Sequence, residues 1–129
     1  MSDRILIIEG EPTLERELTS ALNEAGFTTA CVHDYPQAPL KLREFQPDMV
    51  IVDEVLPGGD GIDACFQLHK TFGIPIVLLG NDYSEGIWVR AVDAGADFYF
   101  TKPLPQRELV ARVKAILRRY KKPQGGRNK

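Results

Sequence analysis

The sequence lacks the features of a secreted, membrane or disordered protein. It has two cysteines in 129 residues, too few for a disulfide scaffold. No apolar run approaches the ~20 residues that a membrane-spanning helix needs, and the first residues, MSDRILII, carry no signal-peptide pattern. Hydrophobic residues make up 43% of the chain, which is too many for intrinsic disorder. We therefore expect a soluble, cytoplasmic protein with one folded domain and no membrane partner.

Acidic residues are absent from the C-terminal part of the chain. Residues 112–129 contain eight Lys or Arg and no Asp or Glu. Because the whole chain has a net charge of −2, the preceding 111 residues carry −10. Basic residues favour the end of a helix, and the last residues, KKPQGGRNK, are typical of a solvated linker. We predict one domain over residues 1–120 and a basic tail or linker over 121–129. The domain itself is not expected to bind nucleic acid.

Short apolar runs alternate with longer amphipathic segments along the chain. The runs at residues 5–8 and 49–52 are continuous and rich in Val and Ile, as in strands that are buried on both faces. Together, the apolar runs predict strands near residues 5–8, 27–32, 49–52, 76–79 and 98–100. Apolar residues at helical spacing predict helices near residues 14–25, 34–46, 62–69, 85–94 and 106–120. Strands that alternate with helices in this way indicate a doubly wound α/β fold with a parallel sheet.

Charged side chains collect at the predicted ends of the strands. Glu9 and Glu11 follow the first strand, Asp53 ends the third, and Lys102 follows the fifth. The carboxyl ends of parallel strands meet at one edge of the sheet, where α/β proteins bind ligands. Carboxylates suit Mg²⁺, a carboxylate can accept a phosphoryl group, and a lysine can neutralise phosphoryl oxygens. Chemistry alone leaves two interpretations open, a phosphoryl-transfer or metal pocket and a set of solvated loop carboxylates.

Two long motifs carry a resemblance to a known family. The stretches PDMVIVDEVLPGGDG and AGADFYFTKP, together with ILIIEGEP and IPIVLLGND, resemble the receiver domain of two-component response regulators over about residues 4–119. The resemblance implies a flavodoxin-like five-stranded parallel sheet in the order 2-1-3-4-5, with five helices. It also implies a signalling module rather than an enzyme. Such a module takes a phosphoryl group from a histidine kinase or phosphotransfer protein, uses Mg²⁺, and acts on a downstream effector protein or domain.

The resemblance assigns roles to individual residues. Asp53 matches the phosphoacceptor, and Lys102 matches the lysine that contacts the phosphoryl group. Pro103 matches a proline whose preceding peptide bond is usually cis. Tyr99 matches the aromatic residue that changes its rotamer between the inactive and active states. Receivers pair through helix 4, strand 5 and helix 5, so a homodimer of this chain would form through that surface.

The metal site implied by the resemblance departs from the family pattern. Glu9, Asp53 and the backbone carbonyl of Val55 match the metal contacts. Gly10 stands where the family carries its main metal-binding aspartate, so Mg²⁺ binding should be weak. Gly80 stands where the family carries a Ser or Thr whose hydroxyl bonds the phosphoryl oxygen. Without that hydroxyl, the link between phosphorylation and the aromatic switch should be blunted.

Three functions stay open. The first is a phosphorylation-dependent receiver, and the second is a pseudo-receiver that keeps the fold and binds partners without phosphorylation. The third is an independent enzyme or a flavin carrier. An aspartate-nucleophile phosphatase would need a second aspartate two residues after Asp53, where Val55 stands. A flavin carrier would need an anion-binding loop where Glu9 and Glu11 bring negative charge.

The other reactive or aromatic side chains are expected to be structural. Cys31 and Cys65 are predicted to be buried thiols rather than a disulfide. His33 and His69 have no partner at metal-ligand spacing in the sequence, so we expect them at the surface or the edge of the core. Trp88 is assigned to the core, with an exposed aromatic on the pairing surface as the alternative.

Overall fold

Within the described residues, five parallel strands alternate with five α-helices. The computed structural model describes residues 3–81 and 85–121. The strands are β1 (Arg4–Ile8), β2 (Thr28–Val32), β3 (Met49–Asp53), β4 (Ile76–Gly80) and β5 (Phe98–Thr101). The helices are α1 (Pro12–Glu24), α2 (Ala38–Phe45), α3 (Gly61–Phe72), α4 (Glu85–Asp93) and α5 (Gln106–Lys121). None of the described helices is long and apolar enough to span a membrane.

The strands form one parallel sheet in the order β2-β1-β3-β4-β5. This order confirms the predicted flavodoxin-like topology. A helix separates each strand from the next along the chain, which returns the chain to the same edge before every strand. In the sheet, β2 lies on one side of β1, and β3 lies on the other side. The topological switch point therefore lies between β1 and β3, where such sheets bind ligands.

Different helices bury the two faces of the sheet. Leu6 of β1 belongs to a core that includes Leu42 of α2 and residues of α3 and α4. Its neighbour Ile7 belongs to a second core with Leu18 of α1 and Val113 of α5. Successive strand residues point to opposite faces, so a strand that lies between two helix layers must be apolar at every position. Each fully buried Leu or Ile side chain contributes about 1.5–3 kcal/mol relative to an exposed one.

Two segments differ locally from the sequence prediction. The segment 34–46 is not one helix, because a 3₁₀ turn (Tyr35–Gln37) precedes α2. Pro39 has no N–H to donate and is accepted only in the first turn of a helix, so α2 begins just before it. The segment between β3 and α3, which lies outside the predicted strands and helices, contains a short antiparallel hairpin that pairs Val55–Leu56 with Gly59–Asp60.

Trp88 does not belong to the core. Its side chain on α4 is 56% exposed, whereas Ala91 of the same helix is fully buried and Ile87 packs against the core. Ile87 and Ala91 are four residues apart and share one face of the helix, so Trp88 points away from that face. The assignment of Trp88 to the core is wrong, and the residue is an exposed aromatic.

Candidate functional site

Three charged side chains meet at the carboxyl edge of the sheet, beside the switch point. Asp53 is the last residue of β3, Glu9 follows β1 directly, and Lys102 follows β5 directly. Asp53 is 2% exposed and Glu9 is 1% exposed. Two carboxylates buried at one place are costly unless cations or hydrogen bonds compensate for the lost water. The partners of each carboxylate therefore define what this pocket can hold.

Both carboxylate oxygens of Asp53 have partners. Oδ2 accepts a hydrogen bond from Nζ of Lys102 at 2.5 Å, and Oδ1 accepts one from the backbone N–H of Val55 at 2.9 Å. The backbone N–H of Lys102 donates to the carbonyl of Gly80 at 2.8 Å, which fixes the lysine beside β4. The Lys102–Pro103 peptide bond is cis. A carboxylate oxygen and a cation thus stand side by side, joined by a charge-assisted hydrogen bond.

Glu9 has a different environment. Its Oε2 accepts a hydrogen bond from the backbone N–H of Glu11 at 3.1 Å, while its buried Oε1 has no hydrogen-bond partner within the described ranges. Burial, together with the neighbouring Asp53 carboxylate, raises the pKa of Glu9 to about 8. Lys102 supplies one positive charge to the pocket, and a divalent cation would compensate the Glu9 carboxylate once it has lost its proton. Because Mg²⁺ prefers carboxylate and carbonyl oxygens, Glu9, Asp53 and the Val55 carbonyl fit this ion.

The loop after β1 contributes no second acid to the pocket. A Cβ on Gly10 would stand 2.7 Å from Cδ of Pro57 and 3.3 Å from the carbonyl oxygen of His33, so a larger residue would require Pro57 to move. The next residue, Glu11, is the N-cap of α1, and its carboxylate accepts a hydrogen bond from the N–H of Leu14 at 2.6 Å. That bond holds the Glu11 carboxylate at the start of the helix.

The ring of Tyr99 fills the space beside Gly80. Its hydroxyl donates a hydrogen bond to Oε1 of Glu54 at 2.9 Å, and the ring packs against the core on the α3 and α4 side of the sheet. A Cβ on Gly80 would overlap the Tyr99 hydroxyl and Glu54 Oε1, and would lie 2.6 Å from Cζ of the ring. Tyr99 therefore occupies the volume that a Ser or Thr side chain at residue 80 would take.

Sequence reasoning missed Glu54. It directly follows Asp53, and its backbone N–H donates to the carbonyl of Leu79 at 2.7 Å. An acid next to the end of a strand is a weak signal, and nothing in the sequence connects it with Tyr99. Of the predicted residues, the structure brings Glu9, Asp53 and Lys102 together. Gly80 and Tyr99 form a separate contact with Glu54.

His33 also has partners that the sequence did not indicate. Its Nε2 lies 2.9 Å from Oε1 of Glu15, and Sγ of Cys31 is in the same group of atoms, all within 4.8 Å of one another. His33 is exposed, as expected, and its contact with Glu15 joins residues that are 18 positions apart in the sequence. Cys31 and Cys65 are both free thiols, as predicted, although Cys31 is only partly buried.

Known proteins with similar sequences identify the family. A family profile described as the response regulator receiver domain matches residues 5–114. The DNA-binding response regulator MtrA of Mycolicibacterium smegmatis is 44% identical over 119 residues, which cover 92% of this chain and 52% of that protein. MtrA of Mycobacterium tuberculosis strain H37Rv is 43% identical over the same length, with the same coverage. This chain spans about half the length of the curated relatives it matches.

Solved receiver structures share the fold. A two-component response regulator from Clostridium difficile superposes with a TM-score of 0.89 at 30% identity, covering 93% of this chain and 99% of that one. The BeF3-activated receiver domain of Klebsiella pneumoniae RstA gives a TM-score of 0.85 at 28% identity, covering 90% and 99%. Receiver domains of this kind are generally not enzymes. Since a family profile and the sheet topology agree over nearly the whole described chain, the protein belongs to the receiver domains of two-component response regulators.

Proposed function

We propose that Asp53 accepts a phosphoryl group from a phosphohistidine of a cytoplasmic histidine kinase or phosphotransfer protein. The modified domain then changes its affinity for a downstream effector protein or domain. The observation that carries this proposal is the 2.5 Å contact of Asp53 Oδ2 with Lys102 Nζ. It puts a carboxylate nucleophile beside a cation for the phosphoryl oxygens, at the edge where α/β sheets bind ligands.

In this proposal Oδ2 of Asp53 is the attacking atom. The backbone N–H of Val55 holds Oδ1, which leaves Oδ2 to form the new O–P bond. The N–P bond to the donor histidine breaks at the same time, and the imidazole nitrogen keeps the electron pair. Lys102 exchanges Oδ2 for a phosphoryl oxygen, since its ammonium is a compact charge on a flexible stem.

Mg²⁺ is the proposed cofactor of this pocket. Glu9, Asp53 and the Val55 carbonyl would hold it, and the ion when bound neutralises charge on the phosphoryl oxygens. Glu9 must lose its proton to bind the ion, because burial and Asp53 raise its pKa in the metal-free domain. Gly10 adds no carboxylate, so we propose that binding is weak.

Intact-mass spectrometry after incubation with a small phosphodonor and Mg²⁺ tests this function. We expect one phosphoryl adduct on the wild-type protein and none on Asp53→Asn. Asp60→Asn is the matched control, because Asp60 is an exposed carboxylate that caps α3, and this variant should keep the adduct. An adduct on Asp53→Asn would place the chemistry on another residue.

The contact of Tyr99 with Gly80 and Glu54 favours a second function. We infer that the domain binds partners without phosphorylation, as a pseudo-receiver. The ring already fills the space beside Gly80, and residue 80 offers no hydroxyl for a phosphoryl group to attract. A ligand shifts a two-state equilibrium only by the difference in its affinity for the two states, and here that difference is small.

The surface formed by α4, β5 and α5 is the proposed contact surface for a second copy or an effector. Trp88, Val89 and Val92 of α4 are exposed there. The relatives named MtrA are DNA-binding response regulators, so an effector of that kind belongs to the proposal. Self-association, measured by sedimentation equilibrium, should weaken in Trp88→Ala and should not change with phosphodonor. Association that requires phosphodonor would contradict the pseudo-receiver function and favour the first one.

A further inference from the structure

A second group of potential ligands lies at the end of β2, on the face that α1 covers. Sγ of Cys31, a ring nitrogen of His33 and a carboxylate oxygen of Glu15 all lie within 4.8 Å of one another. Cys31 belongs to β2, and His33 directly follows the end of that strand. Glu15 comes from α1. Two elements that are distant in sequence thus supply three different donor atoms.

We propose that Cys31, His33 and Glu15 form a binding site for Zn²⁺. Zinc takes sulfur, imidazole and carboxylate ligands together, with bonds of about 2.0–2.3 Å, in a tetrahedral arrangement. The ligand atoms of such a site lie about 3.3–3.7 Å apart. The donor atoms lie within 4.8 Å of one another, so binding requires the most distant pair to approach by up to about 1 Å and the His33–Glu15 pair, now at 2.9 Å, to separate slightly. Three protein ligands leave the fourth position to water.

Two of the three ligands are already oriented toward each other. Nε2 of His33 lies 2.9 Å from Oε1 of Glu15, and the His33 side chain is 63% exposed, so an ion reaches it from solvent. Cys31 has a poor alternative partner, because its Sγ lies 3.6 Å from the carbonyl of Val32. Core packing accounts for the partial burial of Cys31, and its Sγ also lies beside the two other donor atoms.

The charges around the thiol also favour a cation. Burial and the Glu15 carboxylate raise the pKa of Cys31 to about 12, so the metal-free residue is a thiol. Zinc binding would replace that proton, which leaves to solvent, and would convert the neighbouring carboxylate from a repulsive group into a ligand. The donor atoms differ from those of the acidic pocket, but the two sites are neighbours, because the Glu9 carboxylate also raises the pKa of Cys31.

Cobalt is the spectroscopic probe for this site, since Co²⁺ binds similar ligands and a cobalt–thiolate bond absorbs in the near ultraviolet by charge transfer. Titration of the purified chain with Co²⁺ should give this band with one equivalent bound, and added Zn²⁺ should bleach it. Cys31→Ser should abolish the band. His33→Ala should weaken binding at least about tenfold, which is about 1.4 kcal/mol.

Two controls separate this site from other thiols and from the acidic pocket. Cys65→Ala removes the other thiol, and Asp53→Asn removes the proposed phosphoacceptor; both should keep the band with unchanged affinity. Circular dichroism verifies the fold of each variant, and the exposed His33→Ala keeps the test decisive if Cys31→Ser fails to fold. The proposal is overturned if the folded wild-type protein shows no cobalt–thiolate band. It is equally overturned if the band survives Cys31→Ser or if His33→Ala binds as tightly as wild type.

Discussion

Gly80→Ala should destabilise the domain, although alanine is usually more favourable than glycine within a strand. Gly80 is a buried residue of β4 and is not among the residues with a positive φ, so its backbone would accept a side chain. The obstacle is steric, because a Cβ at this position would overlap the Tyr99 hydroxyl and Glu54 Oε1. We expect the substitution to turn Tyr99 outward and to break its hydrogen bond with Glu54.

The size of the effect comes from the contact that is lost. A hydrogen bond to a charged group contributes about 1.5–3 kcal/mol, and the Tyr99–Glu54 bond is 2.9 Å long. Replacing glycine by alanine stabilises the folded domain by about 0.4–1 kcal/mol, because it reduces the conformational freedom of the unfolded chain. The expected net loss is about 1–2 kcal/mol in the free energy of unfolding. For a domain of this size that corresponds to a fall in Tm of roughly 4–8 °C.

A double-mutant cycle with Tyr99→Ala isolates this contact. Urea unfolding followed by circular dichroism should show that Gly80→Ala is neutral or stabilising by about 0.4–1 kcal/mol in the Tyr99→Ala background. In that background Glu54 no longer accepts the tyrosine hydrogen bond, so its side chain can turn away from the new Cβ. Gly86→Ala is the matched control, because a Cβ at this exposed position of α4 would meet nothing within 4 Å, and it should be stabilising in both backgrounds. Our account of Gly80 is refuted if Gly80→Ala has the same effect with and without the Tyr99 ring.

The acidic pocket and its flanking loop give three more expectations. In the presence of a chelator, the free energy of unfolding of the wild-type protein should fall as the pH rises from about 5 to 8, by up to about 1.4 kcal/mol per pH unit. The reason is that burial raises the pKa of Glu9 from 4.5 to about 8 in the folded domain, whereas the unfolded chain releases that proton at a lower pH. Urea unfolding of Glu9→Gln should lack this slope, and an identical slope would contradict the assignment. Gly10→Asp should lower the free energy of unfolding by about 1–3 kcal/mol, because its side chain overpacks Pro57. Calorimetry should show that Gly10→Asp combined with Pro57→Ala binds Mg²⁺ at least about tenfold more tightly than Pro57→Ala alone. Equal affinities would show that residue 10 does not face the ion. Asp60→Ala should cost about 0.5–2 kcal/mol, since the Asp60 carboxylate accepts the N–H of Ile62 at 2.8 Å at the start of α3; an unchanged Tm would contradict the capping role.

The sheet and its charged edge were predictable because both follow from local patterns. A continuous apolar run such as residues 5–8 predicts a strand buried on both faces, and the structure buries all of it. Once the strands are parallel, their ends share one edge, so Glu9, Asp53 and Lys102 had to lie at the same side of the sheet. No knowledge of rotamers was needed for that conclusion.

The contact among Gly80, Tyr99 and Glu54 could not be predicted from the sequence. It depends on the register that places Gly80 opposite Thr101 and Tyr99 opposite Leu78. It also depends on the rotamer of a tyrosine that could equally point to solvent. The absence of a side chain at Gly80 indicated free space beside it, but only the three-dimensional packing shows which side chain fills that space.

The burial of α4 was ambiguous for a different reason. Apolar residues occur around most of this helix, with Ile87 and Ala91 facing the core and Trp88, Val89 and Val92 exposed. A helix that is apolar on both sides gives no unique buried face from its periodicity. The same ambiguity is expected of any helix that packs on a sheet and also offers a contact surface to a partner.

One NMR titration tests the central claim, that the Asp53 pocket accepts a phosphoryl group while Tyr99 already lies beside Gly80. Beryllofluoride and Mg²⁺ are added to protein labelled at the tyrosine rings and the backbone amides. We predict that the Val55 amide, which donates to Asp53 Oδ1, shifts to saturation while the Tyr99 ring signals stay in place. An unshifted Val55 amide would contradict the phosphoacceptor role, and large shifts of the Tyr99 ring at saturation would show a working switch and contradict the preset orientation of the tyrosine.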